Sequence, residues 1–435
     1  MSARDTALSV LIACRKGGAW SDGALKEAIA RDRLDSRDAA LASRLCYGVL
    51  QNRMLLDFQL RAFVRGDLRR LQPVVLEILR LGAYQLTQLD RVPASAAVNE
   101  AVEQGKRRAN ARAAGLINGV LRAMARAGDA LPQPADLATR YSHPTALVEL
   151  LRENVGEELL EPLLASNNES PETVVQVNPL KTTERALREA WEGAGVSCTA
   201  HPWMPGCCLL RDTGRVEAMA CFRAGEVLVQ DAAARLAVTS MGLRPGMRVL
   251  DCCAAPGGKS FAAAMELQNQ GSVFSCDIHP HKLALIEKGA QRLGITCIQA
   301  LEQDAASARA EWLGQMDAVI ADVPCSGLGV IRKKPDIRYK DLEAIQGLPA
   351  VQRRILGQAS AYVRPGGALL YSTCTILKRE NEEVVDDFLH THPDFLPEPL
   401  ALPPALAGAG QARMTLLPCL HGCDGFFLAK LRRRL

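Results

Sequence analysis

Met247-Arg248-Val249-Leu250 followed by Asp251-Cys252-Cys253-Ala254-Ala255-Pro256-Gly257-Gly258-Lys259 reads as a strand, a Gly-rich turn and the start of a helix. From about Gly242 the chain repeats that alternation, which is the signature of a parallel sheet with helices on its faces. Val273-Phe274-Ser275-Cys276-Asp277, Cys297-Ile298, Ala318-Val319-Ile320-Ala321 and Ala368-Leu369-Leu370-Tyr371 supply further strands. Leu283, Ile286, Ala290 and Leu293 mark the core stripe of one intervening helix. Ligands of such open sheets bind outside the carboxyl ends of the strands, where the Gly-rich turn lies.

The turn offers backbone N–H groups and a helix N-terminus to negative charge, and Gly257 and Gly258 permit close approach. Gly258-Lys259-Ser260 ends like a phosphate loop, but Cys253 stands where the first Gly is required, and no G-x-G-x-x-G is present. Acidic residues follow three successive strands, at Asp277, Asp304 and Asp322. A nucleoside that carries a carboxylate and an ammonium instead of phosphates suits this mixture, and S-adenosylmethionine is such a molecule. Two thiols lie along the same edge, Cys325 in Asp322-Val323-Pro324-Cys325 and Cys374 in Ser372-Thr373-Cys374. A single buried cysteine is usually a small hydrophobe; two at neighbouring strand ends point to a thiol nucleophile. The residues alone do not decide which of the two it is.

Upstream, residues 144–230 read as a small α+β module: a helical segment from Pro144, strands at Val174–Asn178, Cys208–Leu210 and Val227–Val229, and an amphipathic helix from Glu184 to Trp191. Residues 1–143 carry helical periodicity almost throughout, as in Leu41, Leu45, Val49 and Leu50. The reading is therefore an all-α domain over 1–143, an α+β module over 144–230 and an α/β domain over 231–435.

The 435 residues and 48% hydrophobic content are ample for packed cores. The 14 cysteines, spread from Cys14 to Cys423 without a framework of spacings, read as reduced thiols of a cytoplasmic protein. Cys419-Leu420-His421-Gly422-Cys423 lacks a C-x-x-C partner, so no metal site is expected. Leu11-Ile12-Ala13-Cys14 has too short an apolar run before it for a secretory signal, and no stretch approaches the ~20 apolar residues of a membrane span. The net charge of +4 hides an asymmetry: residues 1–150 hold 22 Lys and Arg against 15 Asp and Glu, a balance of +7, and the remainder is −3. A polyanion partner for the first domain fits that excess, as does a well-solvated helical surface. Lys106-Arg107-Arg108 with Arg112 is expected on one helical face, either contacting phosphates or simply solvated.

Several stretches resemble one known family. Asp251–Lys259 is similar to the cofactor loop of the RNA cytosine-C5 methyltransferases, and Asp322-Val323-Pro324-Cys325-Ser326-Gly327-Leu328-Gly329 with Tyr371-Ser372-Thr373-Cys374 to their two cysteine motifs. Arg332-Lys333-Lys334-Pro335-Asp336, Glu380-Asn381-Glu382-Glu383 and Asp424-Gly425-Phe426-Phe427 are similar too. Val98-Asn99-Glu100-Ala101-Val102 and Leu116-Ile117-Asn118-Gly119-Val120-Leu121-Arg122 resemble NusB-like RNA-binding domains. The whole chain thus resembles the Fmu/Sun type of the family. Gln176, in Gln176-Val177-Asn178, departs from the usual Arg, and Cys252 is unusual beside the loop.

The resemblance implies a Rossmann-like methyltransferase domain that binds S-adenosylmethionine through Cys253, Ala254, Ala255, Pro256, Gly257, Gly258, Lys259, Asp277, Asp304 and Asp322. It implies methylation of carbon 5 of a cytosine in 16S ribosomal RNA by a monomer that binds neither DNA nor membrane. Cys374 is then the nucleophile that adds to carbon 6, and Cys325 assists removal of the carbon-5 proton and release of the adduct. Asp322 hydrogen-bonds the cytosine ring or meets the cofactor's ammonium. The same chemistry on transfer RNA, and a noncatalytic RNA-binding assembly factor, are the competing readings. An amino-methyltransferase would require an aromatic residue where Cys325 stands, and a DNA cytosine methyltransferase would use the Pro-Cys thiol as nucleophile, against which Thr373-Cys374 argues.

Overall fold

Helices with one apolar stripe build the first part of the chain, because each stripe finds a partner only on another helix. The computed structural model describes residues 1–17, 21–211, 213, 215–406 and 410–435. Contacts divide these into two units, Met1–Glu169 with Ile331–Lys340, and Ser170–Val330 with Asp341–Leu435. The helices Thr145–Val155 and Glu157–Ser166 cluster with the first of these units.

In that unit the helices Ser36–Gln51, Pro73–Gln88, Ala94–Arg108 and Ala111–Ala127 bury Leu45, Val49, Ile78, Leu81, Val98, Ile117 and Leu121 in one core. Asp35 and Asn110 cap two of the helices by accepting the backbone N–H of Asp38 and Ala113, which satisfies donors that a helix start leaves open. The expected basic face is not assembled as read. Lys106–Arg108 end one helix, Arg112 belongs to the next, Lys106 pairs with Glu103 at 2.7 Å and Arg107 with Asp5 at 3.0 Å. The helix simply stops at Ala109, so the periodicity does not continue through the cluster.

Residues 331–340 enter the helical unit from far along the sequence. Arg338 is buried there: Nη1 donates to Gln51 O at 2.8 Å, Asn168 Oδ1 at 2.9 Å and Ser142 O at 3.2 Å, and Nη2 to Asn167 O at 3.3 Å. Burial pulls this guanidinium down to about 10. Asp336 accepts from Ser21 N and Oγ, and Tyr339 OH donates to Leu50 O. Arg338→Met leaves those acceptors buried without a donor, and is expected to destabilise the helical unit by about 2–4 kcal/mol, read as a lower denaturation midpoint of the helical signal.

The second unit holds two sheets. β1 (Thr173–Val177), β2 (Ser197–Ala200), β3 (Cys207–Arg211) and β4 (Val227–Val229) form an antiparallel sheet in the order β2-β3-β1-β4. The helix Glu184–Gly193 buries Leu187 and Trp191 in the same cluster as Val175 and Val177. β2 escapes sequence reading because Ser197-Cys198-Thr199-Ala200 is an exposed edge with no apolar alternation. Asn178 Nδ2 ties this sheet to the next part of the unit, donating to Gly225 O and Leu293 O, both at 2.8 Å.

The larger sheet comprises β5 (Arg248–Asp251), β6 (Ser272–Asp277), β7 (Ile298–Glu302), β8 (Met316–Asp322), β9 (Val363–Thr373), β10 (Phe395–Pro397), β11 (Arg413–Leu416) and β12 (Phe426–Arg433). Its order is β10-β12-β9-β8-β5-β6-β7, with β11 paired to β12. β5 to β9 are mutually parallel, and β10, β11 and β12 add antiparallel pairings. The chain runs outward from β5 through β6 to β7, then returns to β8 on the other side. β5 and β8 therefore flank the switch point at which open α/β sheets hold ligands.

Candidate active site

Of the loops that leave the carboxyl edge of the large sheet, those after β5, β8 and β9 carry the central groups. The first is pinned to the strands on both sides: Cys252 N donates to Ile320 O at 2.9 Å and Ala254 N to Cys276 O at 2.7 Å. Gly257 adopts φ +110°, and a Cβ there would lie 2.4 Å from the Phe261 ring, so only glycine can make this turn. The helix Gly258–Glu266 starts directly after it. Beneath the turn, Asp251 is fully buried, accepts from Ser260 Oγ at 2.7 Å and keeps Oδ1 without a partner. Burial pushes its carboxyl up to about 7. Cys253 is half-buried, and its thiol is raised by the same cause.

Lys259 Nζ pairs with Asp322 Oδ2 at 2.7 Å and lies 5.0 Å from the centre of the Phe426 ring. Burial disfavours the ammonium, but the Asp322 carboxylate outweighs it and holds Lys259 above its ordinary value. Ser372 Oγ donates to the other carboxylate oxygen, Oδ1, at 2.7 Å. Asp322 is thus held from both sides. Asp277 closes β6 and accepts from His279 N at 2.9 Å; Asp304, exposed in the loop after β7, accepts from Ala306 N at 2.9 Å and Ser307 Oγ at 3.1 Å.

Because β8 and β9 are parallel neighbours in register, Asp322 opposite Ser372, the loops after them bring Cys325 and Cys374 to an Sγ–Sγ distance of 3.2 Å. The hydrogen bond to Cys374, then burial, push the Cys325 thiol well above its ordinary value. Gly329 N donates to Cys374 O at 3.0 Å, and Gly425 N to Gly329 O at 2.8 Å. A Cβ on Gly329 would sit 1.9 Å from Gly425 O, so both glycines serve the contact that joins the Cys325 loop to the segment before β12.

Sequence reading names Lys259, Asp322 and both cysteines, but neither the Lys259–Asp322 pair nor the contact of Ser372 with Asp322, because each is made across strands. A period-2 reading from Cys374 back to Ser372 was the available signal. Gln176 is buried and donates to Gln230 Oε1; a Cβ on Gly258 would lie 3.1 Å from the Gln230 side chain. The departure at Gln176 therefore stands one residue away from the turn. Among the described residues no group of three His, Cys, Asp or Glu is arranged to hold a metal, and no helix is long and apolar enough to cross a membrane.

Residues 238–432 match the family model described as 16S rRNA methyltransferase RsmB/F, residues 1–126 the NusB family, and residues 143–217 the Methyltr_RsmF/B-like, ferredoxin-like domain. The probable ribosomal RNA small subunit methyltransferase B of Bacillus subtilis is 36% identical over 100% of this chain and 99% of its own. The chain belongs to the RsmB/F family of 16S rRNA methyltransferases. Its relative in Vibrio cholerae, ribosomal RNA small subunit methyltransferase B, is 35% identical over 93% of this chain and 92% of its own. The crystal structure of PH0851 superposes with a TM-score of 0.81 at 26% identity, covering 98% of each chain. NSun6 from Pyrococcus horikoshii with SFG shares the fold, with a TM-score of 0.60 at 20% identity over 67% of this chain and 98% of that one. RsmB/F membership agrees with the fold read from the sequence: a helical NusB-like N-terminus, a small ferredoxin-like module and a C-terminal methyltransferase domain.

Proposed function

We propose that this protein methylates carbon 5 of a cytosine in 16S ribosomal RNA, with S-adenosylmethionine as methyl donor, through a covalent bond between Cys374 and carbon 6. The observation that carries the reading is the pair of thiols 3.2 Å apart beside the Lys259–Asp322 pair at the switch point of the sheet.

The loop after β5 suits the cofactor. The left-handed Gly257 makes the tight turn into the helix start, and Oδ1 of Asp251 is a buried acceptor without a donor beneath it. Cys253, Ala254, Ala255, Pro256, Gly257 and Gly258 would hold it along the loop backbone, with Lys259 and Asp322 beside them. Asp277 would take the ribose hydroxyls and Asp304 the adenine amine. When bound, S-adenosylmethionine supplies a methyl group on a sulfonium, the electrophile for carbon 5.

Carbon 5 of cytosine is a poor nucleophile until a thiolate adds to carbon 6 and leaves an enamine. Cys374 forms that bond as the thiolate, the nucleophilic form of a thiol. Asp322, fixed by Lys259 and Ser372, faces the ring as an acceptor or meets the cofactor's ammonium. After transfer the carbon-5 proton is lost with the help of Cys325, its bonding pair restores the C5–C6 double bond, and the C6–S pair leaves on the Cys374 thiolate. The base must leave its stack to reach these groups. The NusB-like domain, with its excess of Arg, is suited to contacting the RNA backbone. Ribosomal RNA as substrate implies work in the cytoplasm.

Transfer of labelled methyl groups from S-adenosylmethionine to small-subunit ribosomal RNA, with 5-methylcytosine mapped in the product, tests the reading. A single new 5-methylcytosine in 16S RNA is expected. Methylation of transfer RNA alone would move the substrate, and cofactor binding without transfer to any RNA would favour an assembly factor.

A further inference from the structure

Both cysteines are gripped on either side by buried polar groups that adjoin in sequence. Around Cys325, Gln352 Nε2 donates to Pro324 O at 3.0 Å and to Glu380 Oε2 at 2.9 Å, and the same carboxylate oxygen accepts the Ser326 N–H at 2.9 Å. Around Cys374, Asn381 Oδ1 accepts from Thr373 Oγ1 at 2.6 Å while its Nδ2 donates to Thr375 O at 3.0 Å. Ser326 Oγ and Thr375 Oγ1 join the two loops at 2.7 Å. Glu380 has no exposed surface, its carbonyl accepts from Tyr371 OH at 2.6 Å, and its second carboxylate oxygen has no partner.

A buried carboxylate is costly where a glutamine would make the same grip, so its charge needs a reason. We propose that Glu380 is a positioning residue for Cys325: it holds the peptide on the C-terminal side of that thiol, and its negative charge sets the pH range over which Cys325 resolves the RNA adduct. The inference rests on the reading of Cys325 as the releasing thiol. The titratable groups that act on that thiol are Cys374 after β9, Tyr371 on β9 and Glu380, and Tyr371 in turn feels Asp322 at the entrance of the Cys325 loop and Arg353 on the helix Leu348–Tyr362. Glu380 raises Cys325 in addition to the larger effects of the Cys374 hydrogen bond and burial. Removing a neighbouring negative charge favours the thiolate, so a step that needs the thiolate moves to lower pH.

The test follows the covalent protein–RNA adduct on denaturing gels in single turnovers of full-length protein with small-subunit ribosomal RNA and S-adenosylmethionine, as a function of pH. Glu380→Gln keeps an oxygen for the Ser326 N–H and loses the charge; the midpoint for adduct resolution is expected to fall by about one pH unit. Glu380→Asp keeps the charge and withdraws it from Ser326; resolution is expected to slow about tenfold at its plateau with the midpoint unmoved. An unmoved midpoint in Glu380→Gln, or wild-type resolution in Glu380→Asp, overturns the proposal. Cys325→Ala measured alongside separates the two readings: normal release in that variant removes the role of Cys325 itself, whatever Glu380 does.

Discussion

Cys374→Ala is expected to abolish methyl transfer, with a loss of at least about 10⁴-fold, because in the proposed mechanism Cys374 makes the bond to carbon 6 that turns carbon 5 into a nucleophile. The loss belongs to the chemistry and leaves the fold intact. Cys374 is half-buried just after β9; the substitution removes its Sγ contact with Cys325 but keeps the backbone contact with the same loop, in which its carbonyl accepts the Gly329 N–H. The measurement is incorporation of labelled methyl groups into small-subunit ribosomal RNA, with binding of S-adenosylmethionine as the check on folding. An active Cys374→Ala enzyme would transfer the nucleophile's role to Cys325.

Cys325→Ala has the second-largest expected effect, and of a different kind. The first half of the reaction proceeds, the second stalls, and a covalent protein–RNA species accumulates. Loss of a group that assists proton removal costs about 10²–10⁴-fold, enough to make release slower than formation. The adduct should appear as a band that survives denaturation, needs both RNA and S-adenosylmethionine, and is absent when Cys374 is also replaced. The 3.2 Å separation of the two sulfurs is short enough for one thiol to act on a bond made by the other, as the proposed mechanism requires. Normal release of methylated RNA by Cys325→Ala would show that the proton leaves by another route.

The fold was largely legible where hydrophobic periodicity is strong. β5, β6, β8 and β9 are buried on both faces and read as apolar runs, and the helices of residues 1–127 each carry a regular stripe. β2, β10 and β11 were not legible: they are three or four residues long and lie at or beyond sheet edges, where pairing is decided by the neighbouring strand and not by the side chains of the strand itself. Residues 331–340 were silent for another reason. Arg332-Lys333-Lys334-Pro335-Asp336 carries only a family resemblance, and nothing in it or in the following Ile337-Arg338 tells that Arg338 is buried among backbone carbonyls of the helical unit. No local pattern announces a guanidinium whose partners are carbonyls up to 287 residues away.

The candidate site divides along the same line. The sequence by itself determined the class of each loop, because the glycine turn after β5, the acidic strand ends and the two cysteines are local features carried by residue type and by position relative to a strand. Only the tertiary structure decided how they meet. Pairing of β8 with β9 in parallel register sets Cys325 against Cys374 and Asp322 opposite Ser372, return of the chain to β8 beside β5 brings Lys259 to Asp322, and Glu380 with Gln352 grips the Cys325 loop from the far side. Those contacts depend on strand order and register, which are set by packing over the whole sheet and leave no mark on any single stretch of the chain.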